Sequence, residues 1–406
     1  MESGKWKVAS LSGYIQRFQG GRVATTSIVG NIRHLVPTIR ARRNDIEQAR
    51  RLPADVAAAL RQTGIFSLGV PRAIGGEEAS PIELMQAIET VAAADGSAGW
   101  CAMIGLSGNL SAGYMNERGA KETWSDPAAP TAGIAAPAGT AVRVDGGVRV
   151  GGRWSFASGI THCDWVWAGC MVMDNGKPHM TPMGPEIVHV SMPVKEVQIH
   201  DTWHVSGLCG TGSNDFSATD IFIPNHRIFA LLDPSGHRSE PLYRMPPLSL
   251  FVFQVGSVSL GIARAALDDL TQMAQSKMPT MYTTPLADRP VAQIQLARAE
   301  AALGGARAFL YSTAEEMWNT VTAGKPVSSR QLALARVAAS HAVETGASVT
   351  RTANTLAGGS AIYTKSPMQR YARDAEAVTH HFTAAPHVWE EAGRVLLGRQ
   401  PNVPVF

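Results

Sequence analysis

The stretch TAVRVDGGVRVGGRWSF, from Thr140 to Phe156, marks the point where the periodicity of the chain changes. Val142 and Val144 alternate with polar residues before a central DGG, and Val148 and Val150 do so after it. Alternation with a period of two is typical of a half-buried β-strand, and Asp-Gly between two such runs is a strong hairpin signal. This stretch therefore predicts a β-hairpin.

Further strand-like runs follow the hairpin, separated by Gly, Pro and Asn: DWVWAGCMV, EIVHVSM, VKEVQI and SATDIFIP. No helical pattern intervenes over roughly one hundred residues, which is typical of an all-β domain. We predict that residues 129–240 form a small antiparallel β-barrel or sandwich.

The segment before the hairpin, residues 25–128, has a helical period. The letters SPIE begin with Ser80 as a helix N-cap, place Pro at the first helical position and end with Glu83, which completes a capping box. Leu84 and Ile88 then lie four residues apart, as on the buried face of an amphipathic helix. We expect an N-terminal helical domain, preceded by a flexible extension over residues 1–24.

The segment after the β-domain, residues 241–406, is helical again. Ser328 with Gln331 forms a second capping box, and Ser366 precedes a Pro that begins the last helix. Long helices joined by short loops pack most simply as an antiparallel four-helix bundle. The predicted helices are Leu250–Ser276, Arg289–Thr322, Gln331–Leu356 and Pro367–Leu397, the last broken at Pro386.

Composition and charge exclude several kinds of partner. Only 17% of the 406 residues are charged, and this low fraction suggests that much of the surface is buried, as in an oligomer. The basic run Arg33–Arg43 alternates with Leu35 and Ile39 at helical spacing, so we expect a solvated helix face and no nucleic-acid partner. The most apolar stretch contains Gln254 and Arg264, and the N-terminus lacks a signal-peptide pattern. We therefore expect a cytoplasmic protein that does not span a membrane.

Several common sites have no motif in this sequence. The four cysteines form no CxxC pair and no zinc-ligand spacing, so free thiols and no metal site are expected. No GxGxxG opens a helix after a strand, and no Walker A, HExxH or GxSxG sequence occurs, which argues against nicotinamide, nucleoside-triphosphate, zinc-protease and serine-hydrolase sites.

Two adjacent histidines near the C-terminus differ in their helical neighbours. His380 shares a face with Arg373 and Glu376, so it is predicted to be solvated and ion-paired. His381 shares its face with Ala377 and is predicted to point inward. An inward histidine is either a hydrogen-bonded core residue or a base with an ordinary pKa of about 6.5, and spacing alone leaves both open.

A second candidate site is the loop in GRWSFASGITHCDWV, where Ser158 lies between small residues after a strand-like run. Small neighbours let a planar ligand approach the backbone, and a hydroxyl both donates and accepts a hydrogen bond. A turn serine that caps its own backbone is an equally good interpretation.

Taken together, four stretches resemble the acyl-CoA dehydrogenase superfold, and within it the two-component flavin monooxygenases such as the para-hydroxyphenylacetate, steroid-phenol and dibenzothiophene hydroxylases. The stretches are LPADVAAALRQTGIFSLGVPRAIGG, GRWSFASGITHCDWVWAG, DTWHVSGLCGTGSNDFSATDIFIP and AGGSAIYTKSPMQRYARDAEAVTHH, and the resemblance extends over about residues 28–400. It implies a helical domain, a β-barrel and a four-helix bundle, assembled as a homotetramer.

The resemblance also implies a flavin between barrel and bundle, with Ser158 beside flavin N5 and His381 facing the ring edge and the substrate as the catalytic residues. It further suggests Arg244 near the anionic reduced flavin. The other residues implied are flavin contacts at Trp154, Gly159, Thr140, Gly358, Gly359 and Ser360 and substrate contacts at Trp100, Ser107, Trp203 and Phe382.

Departures from the family patterns narrow the reaction. The Arg-x-x-Phe-Gly motif of acyl-CoA dehydrogenases is absent, and HHFTAAP stands where their catalytic glutamate is expected, so a thioester α-proton has no obvious base. The second active-site histidine of several phenol hydroxylases is also absent, with Ser107 and Asn109 in its region. A simple phenol held by two histidines is therefore not favoured.

The resemblance thus predicts the oxygenase component of a flavin-dependent monooxygenase. It would take reduced FMN or FAD from a separate NAD(P)H:flavin reductase and use O2, through a C4a-(hydro)peroxyflavin, to hydroxylate an aromatic or heteroaromatic small molecule. One alternative is an acyl-CoA dehydrogenase-like desaturase with bound FAD. The other is a non-catalytic oligomeric scaffold.

Overall fold

The hairpin predicted around the central DGG joins the first two strands of the sheet. A computed structural model describes residues 23–182, 184–233 and 236–403, so nearly all of the predicted N-terminal extension lies outside it. Strands β1 (Thr131–Val144) and β2 (Gly147–Ala157) pair antiparallel, with Val144 opposite Gly147. The tight turn between them is made at Gly146, whose φ of 77° favours glycine.

The remaining strands extend this hairpin into one sheet and a separate small ribbon. They are β3 (Trp165–Asp174), β4 (Lys177–Pro178), β5 (Met180–Thr181), β6 (Gly184–Pro185), β7 (Ile187–Pro193), β8 (Gln198–His200), β9 (Asn214–Pro224) and β10 (Ile228–Phe229). The order across the main sheet is β10-β7-β3-β1-β2-β9-β8, with β4 paired to β3, while β5 and β6 pair with each other.

The prediction of an antiparallel barrel was wrong in two respects. Strand β3 runs parallel to β1, so the sheet is mixed. Its two end strands, β10 and β8, do not pair with each other in the described part of the chain, so the sheet stays open. Strand β2 already pairs with one edge of β1, so the chain returns to the other edge. There β3 runs in the same direction as β1. Strand periodicity is the same in both arrangements and does not distinguish them.

The N-terminal helices precede the sheet. They are α1 (Val23–Ala41), α2 (Arg43–Ala49), α3 (Ala54–Gln62), α4 (Pro81–Ala92), α5 (Gly96–Leu110) and α6 (Glu117–Thr123). Of these, α5 packs on strand β1 of the sheet, while α4 packs on α5 and on the helix Pro247–Ala274 of the C-terminal segment. The predicted capping box at the start of α4 is confirmed, with Ser80 and Glu83 in their expected roles. Asp95 caps α5 by accepting a hydrogen bond from the Ala98 backbone N–H. Nearly every residue of α5 is buried, which fits its position between the sheet and the C-terminal helices.

The C-terminal helices form the predicted bundle. They are α7 (Pro241–Arg244), α8 (Pro247–Ala274), α9 (Pro290–Thr322), α10 (Ser329–Ala357), α11 (Pro367–Thr379) and α12 (His387–Leu396). Helix α8 is long and apolar enough to span a membrane, but most of it is buried in the protein core. The Ser328–Gln331 capping box at the start of α10 is confirmed.

The fourth predicted helix is interrupted earlier than expected. Helix α11 ends at Thr379, and a single 3₁₀ turn, Phe382–Ala384, precedes α12. His381 has extended backbone angles, and its side chain accepts a hydrogen bond from the Thr383 N–H, so it caps the 3₁₀ turn. The predicted order of a helical segment, a sheet and a helical bundle is otherwise confirmed.

Candidate active site

A cavity of about 1280 Å³ lies where the sheet, α5 and the bundle meet. Its wall combines residues of β1 and β2 with residues of α5, α8, α10 and α11. Of the residues singled out in the sequence, it brings together Trp100, Ser107, Ser158, Trp203, His381 and Phe382. Most of the other lining side chains are apolar, as in sites for small molecules.

Ser158 lies directly after β2 and is 5% exposed. The chain turns there because Gly159, at φ 74°, donates its N–H to the Thr211 carbonyl at 2.9 Å. The indole Nε1–H of Trp100 donates to Ser158 Oγ at 3.0 Å. Ser158 Oγ also lies 2.6 Å from Ser213 Oγ, which lies 2.6 Å from Thr211 Oγ1. Three hydroxyl groups therefore form one buried chain.

The direction of the protons in this chain follows from its far end. Thr211 Oγ1 lies 2.9 Å from the Leu208 carbonyl, which can only accept, so the Thr211 hydroxyl donates there. Ser213 must then donate to Thr211, and Ser158 to Ser213. Ser158 Oγ already accepts from Trp100 and keeps one lone pair. Toward a ligand in the cavity, Ser158 is therefore an acceptor.

His381 is half-buried, and its ring is enclosed by Trp100 at 5.4 Å and Phe251 at 5.6 Å between centroids. Its Nδ1 accepts the Thr383 backbone N–H at 3.4 Å and lies 2.8 Å from Thr383 Oγ1. The neutral ring therefore carries its proton on Nε2. Burial lowers the pKa of His381 to about 4, so the ring is neutral at physiological pH.

His380 does not form the ion pair expected of it within the described residues. It is exposed and also lines the cavity, whereas Glu376 pairs with Arg351 at 2.9 Å and Arg373 pairs with Glu47. His380 is more exposed than His381, as predicted, but both histidines line the same cavity, and the helix on which the prediction relied ends before either of them.

Trp154, an expected flavin contact, lies instead in the core of the sheet. It is fully buried, stacks on Phe216 at 5.0 Å and donates to the Gly169 carbonyl. Phe156, two residues later, has a φ of 68°, which turns it away from the regular strand face. It is 68% exposed at the cavity wall, with its ring edge-on to Trp203 at 6.2 Å. Period-two reasoning missed Phe156 because it assumes regular strand angles.

The other expected flavin contacts do not line the cavity. Gly159 only shapes the turn beside it, and Thr140 is exposed and bonded to the Gly151 carbonyl. Arg244 donates to the Val321 carbonyl. Gly358 and Gly359 lie on open surface after α10, where Ser360 accepts from Lys277.

A bulge in β1 contributes main-chain groups to the wall. The pairing of β1 with β3 shifts register between Ile134 and Gly139, and β2 pairs with β1 only from Gly139 onward. Residues 135–138 are thus outside both ladders, and Ile134 to Pro137 line the cavity. The Ala135 carbonyl is used by His189 and Pro137 has no N–H, but other main-chain groups of such a bulge are left without a strand partner and can serve a polar ligand.

Sequence reasoning also missed a polar end of the cavity. Tyr114 and Trp167 are 4% and 6% exposed, and both line it. Beside them, His189 lies with Nε2 3.2 Å from the Ala135 carbonyl and Nδ1 accepting from the Leu231 N–H. Burial lowers the pKa of His189 to about 4, so this end holds a neutral histidine.

Comparison with known families agrees with the architecture. The model of the acyl-CoA dehydrogenase N-terminal domain matches residues 32–124, and that of the C-terminal domain matches residues 253–386. The chain is 36% identical over 362 residues to an indole-3-acetate monooxygenase of Pseudomonas putida, covering 89% of this chain and 91% of that protein.

Two further relatives are informative. The oxygenase subunit HsaA of a flavin-dependent monooxygenase from Mycobacterium tuberculosis is 33% identical over 248 residues, covering 59% of this chain and 61% of that protein. The crystal structure of 3-HSA hydroxylase from Rhodococcus sp. RHA1 superposes with a TM-score of 0.87 at 26% identity, covering 94% of this chain and 99% of that one.

Proposed function

The chain belongs to the acyl-CoA dehydrogenase family, in its group of flavin-dependent monooxygenases, and from this membership we propose which molecule it oxygenates and how its residues take part. It is an oxygenase that acts with reduced flavin on an aromatic small molecule. We propose that the substrate is a fused-ring or elongated aromatic molecule and that a separate reductase supplies the reduced FMN or FAD.

The proposal rests on the positions of Ser158 and His381, which line the same cavity and both contact Trp100. Phe156 and Trp203 line the same cavity and would supply aromatic contacts to a flavin ring held between Ser158 and His381. Main-chain groups of the bulge at Ala136 and Pro137, which line the cavity, would suit the polar pyrimidine edge of a flavin. The volume of about 1280 Å³ leaves room for a substrate beside it.

Each residue has a role that follows from its hydrogen bonds. When bound, reduced flavin supplies the electrons that activate O2, and one oxygen atom passes to the substrate. Ser158, fixed as an acceptor, would accept the N5–H that only reduced flavin carries. His381 would donate its Nε2–H to an oxygen of the substrate and orient it. Trp100 holds Ser158 and contacts His381, and the surrounding apolar wall excludes water.

The desaturase alternative lacks a suitable base. Among the described lining residues the carboxylates are Glu376 and Glu391. Glu376 is paired with Arg351, and Glu391 accepts from the Asn402 N–H at 2.6 Å. Neither lies in the turn that holds His381, where a carboxylate would be needed. Abstraction of an α-proton from a thioester is therefore not favoured.

The assembly proposed is a homotetramer in the cytoplasm. Support comes from α9, where Val291 and Ile294 are each 52% exposed and lie three residues apart on one face. Exposed apolar residues at such spacing are expected to be covered by a second copy. Light scattering during size-exclusion chromatography measures the mass of the assembly, and a monomer contradicts this part of the proposal.

The function is tested by anaerobic mixing with reduced FMN or FAD, followed by O2 in a stopped-flow spectrometer. We expect the protein to delay flavin reoxidation relative to free flavin and Ser158→Ala to shorten that delay about fivefold, because one neutral hydrogen bond at N5 is worth about 1 kcal/mol. Ser312→Ala, on the exposed face of α9, is the control. Reoxidation at the rate of free flavin with both cofactors contradicts the proposal.

A further inference from the structure

A buried carboxyl of helix α11 supports the cavity wall from behind. Asp374 is 3% exposed, and its Oδ1 accepts the backbone N–H of Leu208 at 2.7 Å. Leu208 lines the cavity, so Asp374 reaches the wall through the main chain of this residue. Burying a carboxyl is costly unless it is hydrogen-bonded, so the contact matters to both partners.

The turn of residues 206–211, which contains Leu208, has a backbone that depends on outside support. Leu208 has a φ of 51°, in the left-handed region that residues other than glycine seldom adopt. Such a backbone persists where the surrounding contacts hold it. Helix α11 supplies two of these contacts, because Arg373 donates to the Ser206 carbonyl beside the bond that Asp374 makes.

Helix α11 also packs directly on this turn at Gly207. A Cβ at this position would overlap with the Arg373 carbonyl oxygen, so the close approach requires glycine. The main chains of the turn and of the helix therefore touch next to the bond between Leu208 and Asp374. In an interior packed this closely, a change at one of these contacts displaces the other partner.

The carbonyl of Leu208 is the acceptor at the end of the buried hydroxyl chain. It accepts the Thr211 hydroxyl at 2.9 Å, and this bond sets the direction of the hydrogen bonds as far as Ser158. The same carbonyl accepts the Nε1–H of Trp203 at 3.1 Å. Leu208 thus connects the carboxyl of α11 to the hydroxyl chain and to the aromatic wall.

The surroundings of Asp374 make its carboxyl resemble a neutral group. Burial raises the pKa of Asp374 to about 7, and nearby Asp95 and Glu47 raise it as well. The Leu208 N–H and Arg373 act in the opposite direction. A carboxyl oxygen accepts a hydrogen bond in either protonation state. An asparagine amide has the same shape and also offers an acceptor, so it should keep the contact without a charge.

We propose that Asp374 is a positioning residue of the flavin site. Its carboxyl holds the turn of residues 206–211 through the Leu208 N–H, and the turn then fixes the direction of the hydroxyl chain at Ser158 and the place of the Trp203 indole. The inference deepens the proposed function and rests on it for the flavin. The position of the turn itself is measured without any cofactor.

The test measures the dissociation constants of oxidised and reduced FMN by anaerobic titration and takes their ratio. Asp374→Ala removes the acceptor of the Leu208 N–H, and Asp374→Asn keeps one. The matched control is Tyr371→Phe. It removes another buried hydrogen bond of α11, from Tyr371 Oη to Asp269 at 2.6 Å, and none to the turn. A variant that merely loosens α11 should behave like this control.

We expect Asp374→Ala to lower the ratio of the oxidised to the reduced constant about fivefold, the effect of one neutral hydrogen bond. With the Leu208 carbonyl displaced, the Thr211 hydroxyl can donate back along the chain. The chain then reverses, and Ser158 can donate to N5 of oxidised flavin. Asp374→Asn and the control should keep a ratio near the wild-type value.

A double variant shows whether Asp374 acts through the hydroxyl chain. Ser213→Ala breaks the chain between Thr211 and Ser158, so adding Asp374→Ala to it should lower the ratio no further. If the two effects multiply, the carboxyl acts by another route and the proposal is overturned. An unchanged ratio in Asp374→Ala overturns it too, as does an equal fall in Asp374→Asn or in Tyr371→Phe.

Gly207→Ala disturbs the same contact from the side of the turn and leaves Asp374 in place. The added Cβ pushes the turn away from Arg373, so the ratio should fall as it does in Asp374→Ala. A wild-type ratio in Gly207→Ala contradicts the proposal. This variant decides the question if Asp374→Ala does not fold.

The emission of Trp203 reports on the turn without flavin. It is obtained as the difference between the spectra of a protein and of its Trp203→Phe variant. In Asp374→Ala the indole loses its fixed acceptor, so the emission should move to longer wavelength, and in Asp374→Asn it should not. No shift in Asp374→Ala refutes the positioning role. If the wild type binds no flavin, the proposed function fails, whereas a shift still supports the role of Asp374 in holding the turn.

Discussion

At the scale of single residues, the direction of the hydrogen bonds in the buried hydroxyl chain would let the proposed site distinguish reduced from oxidised flavin. Oxidised flavin offers an acceptor at N5, and reduced flavin offers a donor. The Ser158 hydroxyl donates its hydrogen bond to Ser213 and keeps only acceptor capacity toward the cavity, so in the proposed site it would complement only the reduced form. Ser213 and Thr211 thereby act through Ser158 without any need to touch the flavin.

Replacing Ser213 should weaken this discrimination. In Ser213→Ala the Ser158 hydroxyl loses its acceptor, so its O–H can turn toward the cavity and donate to N5 of oxidised flavin. Oxidised flavin should then bind better, and the ratio of its dissociation constant to that of reduced flavin should fall about tenfold. Anaerobic fluorescence titration with oxidised and reduced FMN measures the ratio. If it stays at the wild-type value while the Ser312→Ala control also leaves it unchanged, Ser213 does not orient Ser158.

The residues alone left Ser158 and His381 open between a structural and a functional role, and only the resemblance to the flavin monooxygenases made them predicted site residues; the structure shows that both line the cavity. The resemblance also placed Trp154 in the site instead of Phe156, since a positive φ on a strand leaves no trace in hydrophobic alternation. Tyr114 and Trp167 were missed for another reason. Each looks like an ordinary core aromatic, and only the packed structure reveals that both line the cavity.

At the scale of elements, the turn between α11 and α12 orients His381. Thr383 contributes both its N–H and its hydroxyl to Nδ1, and its carbonyl accepts from Ser340 of α10 at 3.2 Å. The turn is therefore held from both sides. Helices α8, α9 and α10 were predictable from long apolar repeats and capping boxes. The break between α11 and α12 was not predictable at its observed position, because the hydrogen bonds of the His381 side chain to Thr383 begin a new turn there.

Thr383→Val tests that role. The substitution keeps the shape of the side chain and removes the hydroxyl, so Nδ1 loses one of its two donors and the tautomer of His381 becomes mixed. We expect the yield of hydroxylated product per flavin oxidised to fall several-fold, with flavin affinity unchanged, because orientation of the substrate is what is lost. Thr379→Val, whose hydroxyl bonds only to the Glu376 carbonyl, is the control. Equal yields in the two variants contradict the role.

At the scale of the whole molecule, buried neutral histidines link stability to pH. Burial holds the pKa of His189 at about 4, below its ordinary value of about 6.5 in an unfolded chain. Between these values the unfolded chain binds more protons, so this residue costs stability progressively as the pH falls from about 6.5 to 4. Burial raises the pKa of Asp374 to about 7, so this carboxyl adds stability as the pH falls. The pH dependence of the wild type is therefore a sum of opposing contributions, and the contribution of His189 is obtained by comparing the wild type with a variant at that residue alone.

His189→Gln keeps a donor for the Ala135 carbonyl and an acceptor for the Leu231 N–H but does not titrate. Between pH 7 and pH 5 it should lose about 2 kcal/mol less unfolding free energy than the wild type. Urea unfolding at both pH values measures the difference. Parallel losses in the two proteins would show that His189 is protonated as readily in the fold as in the unfolded chain.

The order of helices, sheet and helices was visible in the sequence because each segment has its own period. The mixed sheet and the cavity were not, since both depend on which side of β1 the chain returns to after the hairpin. Long-range pairing of that kind is decided by packing among distant segments and leaves no local pattern.

Helix α5 has one more consequence, which follows from its burial along nearly its whole length. One face of the helix lines the cavity with Trp100, Ile104 and Ser107, while the other faces pack on the sheet and on α8, so the spacing of these side chains along the cavity is held by the fold. In the proposed site this wall does not adapt to the ligand. Lengthening a substrate along it should therefore change which substrate atom lies beside His381, and with it the position that is hydroxylated.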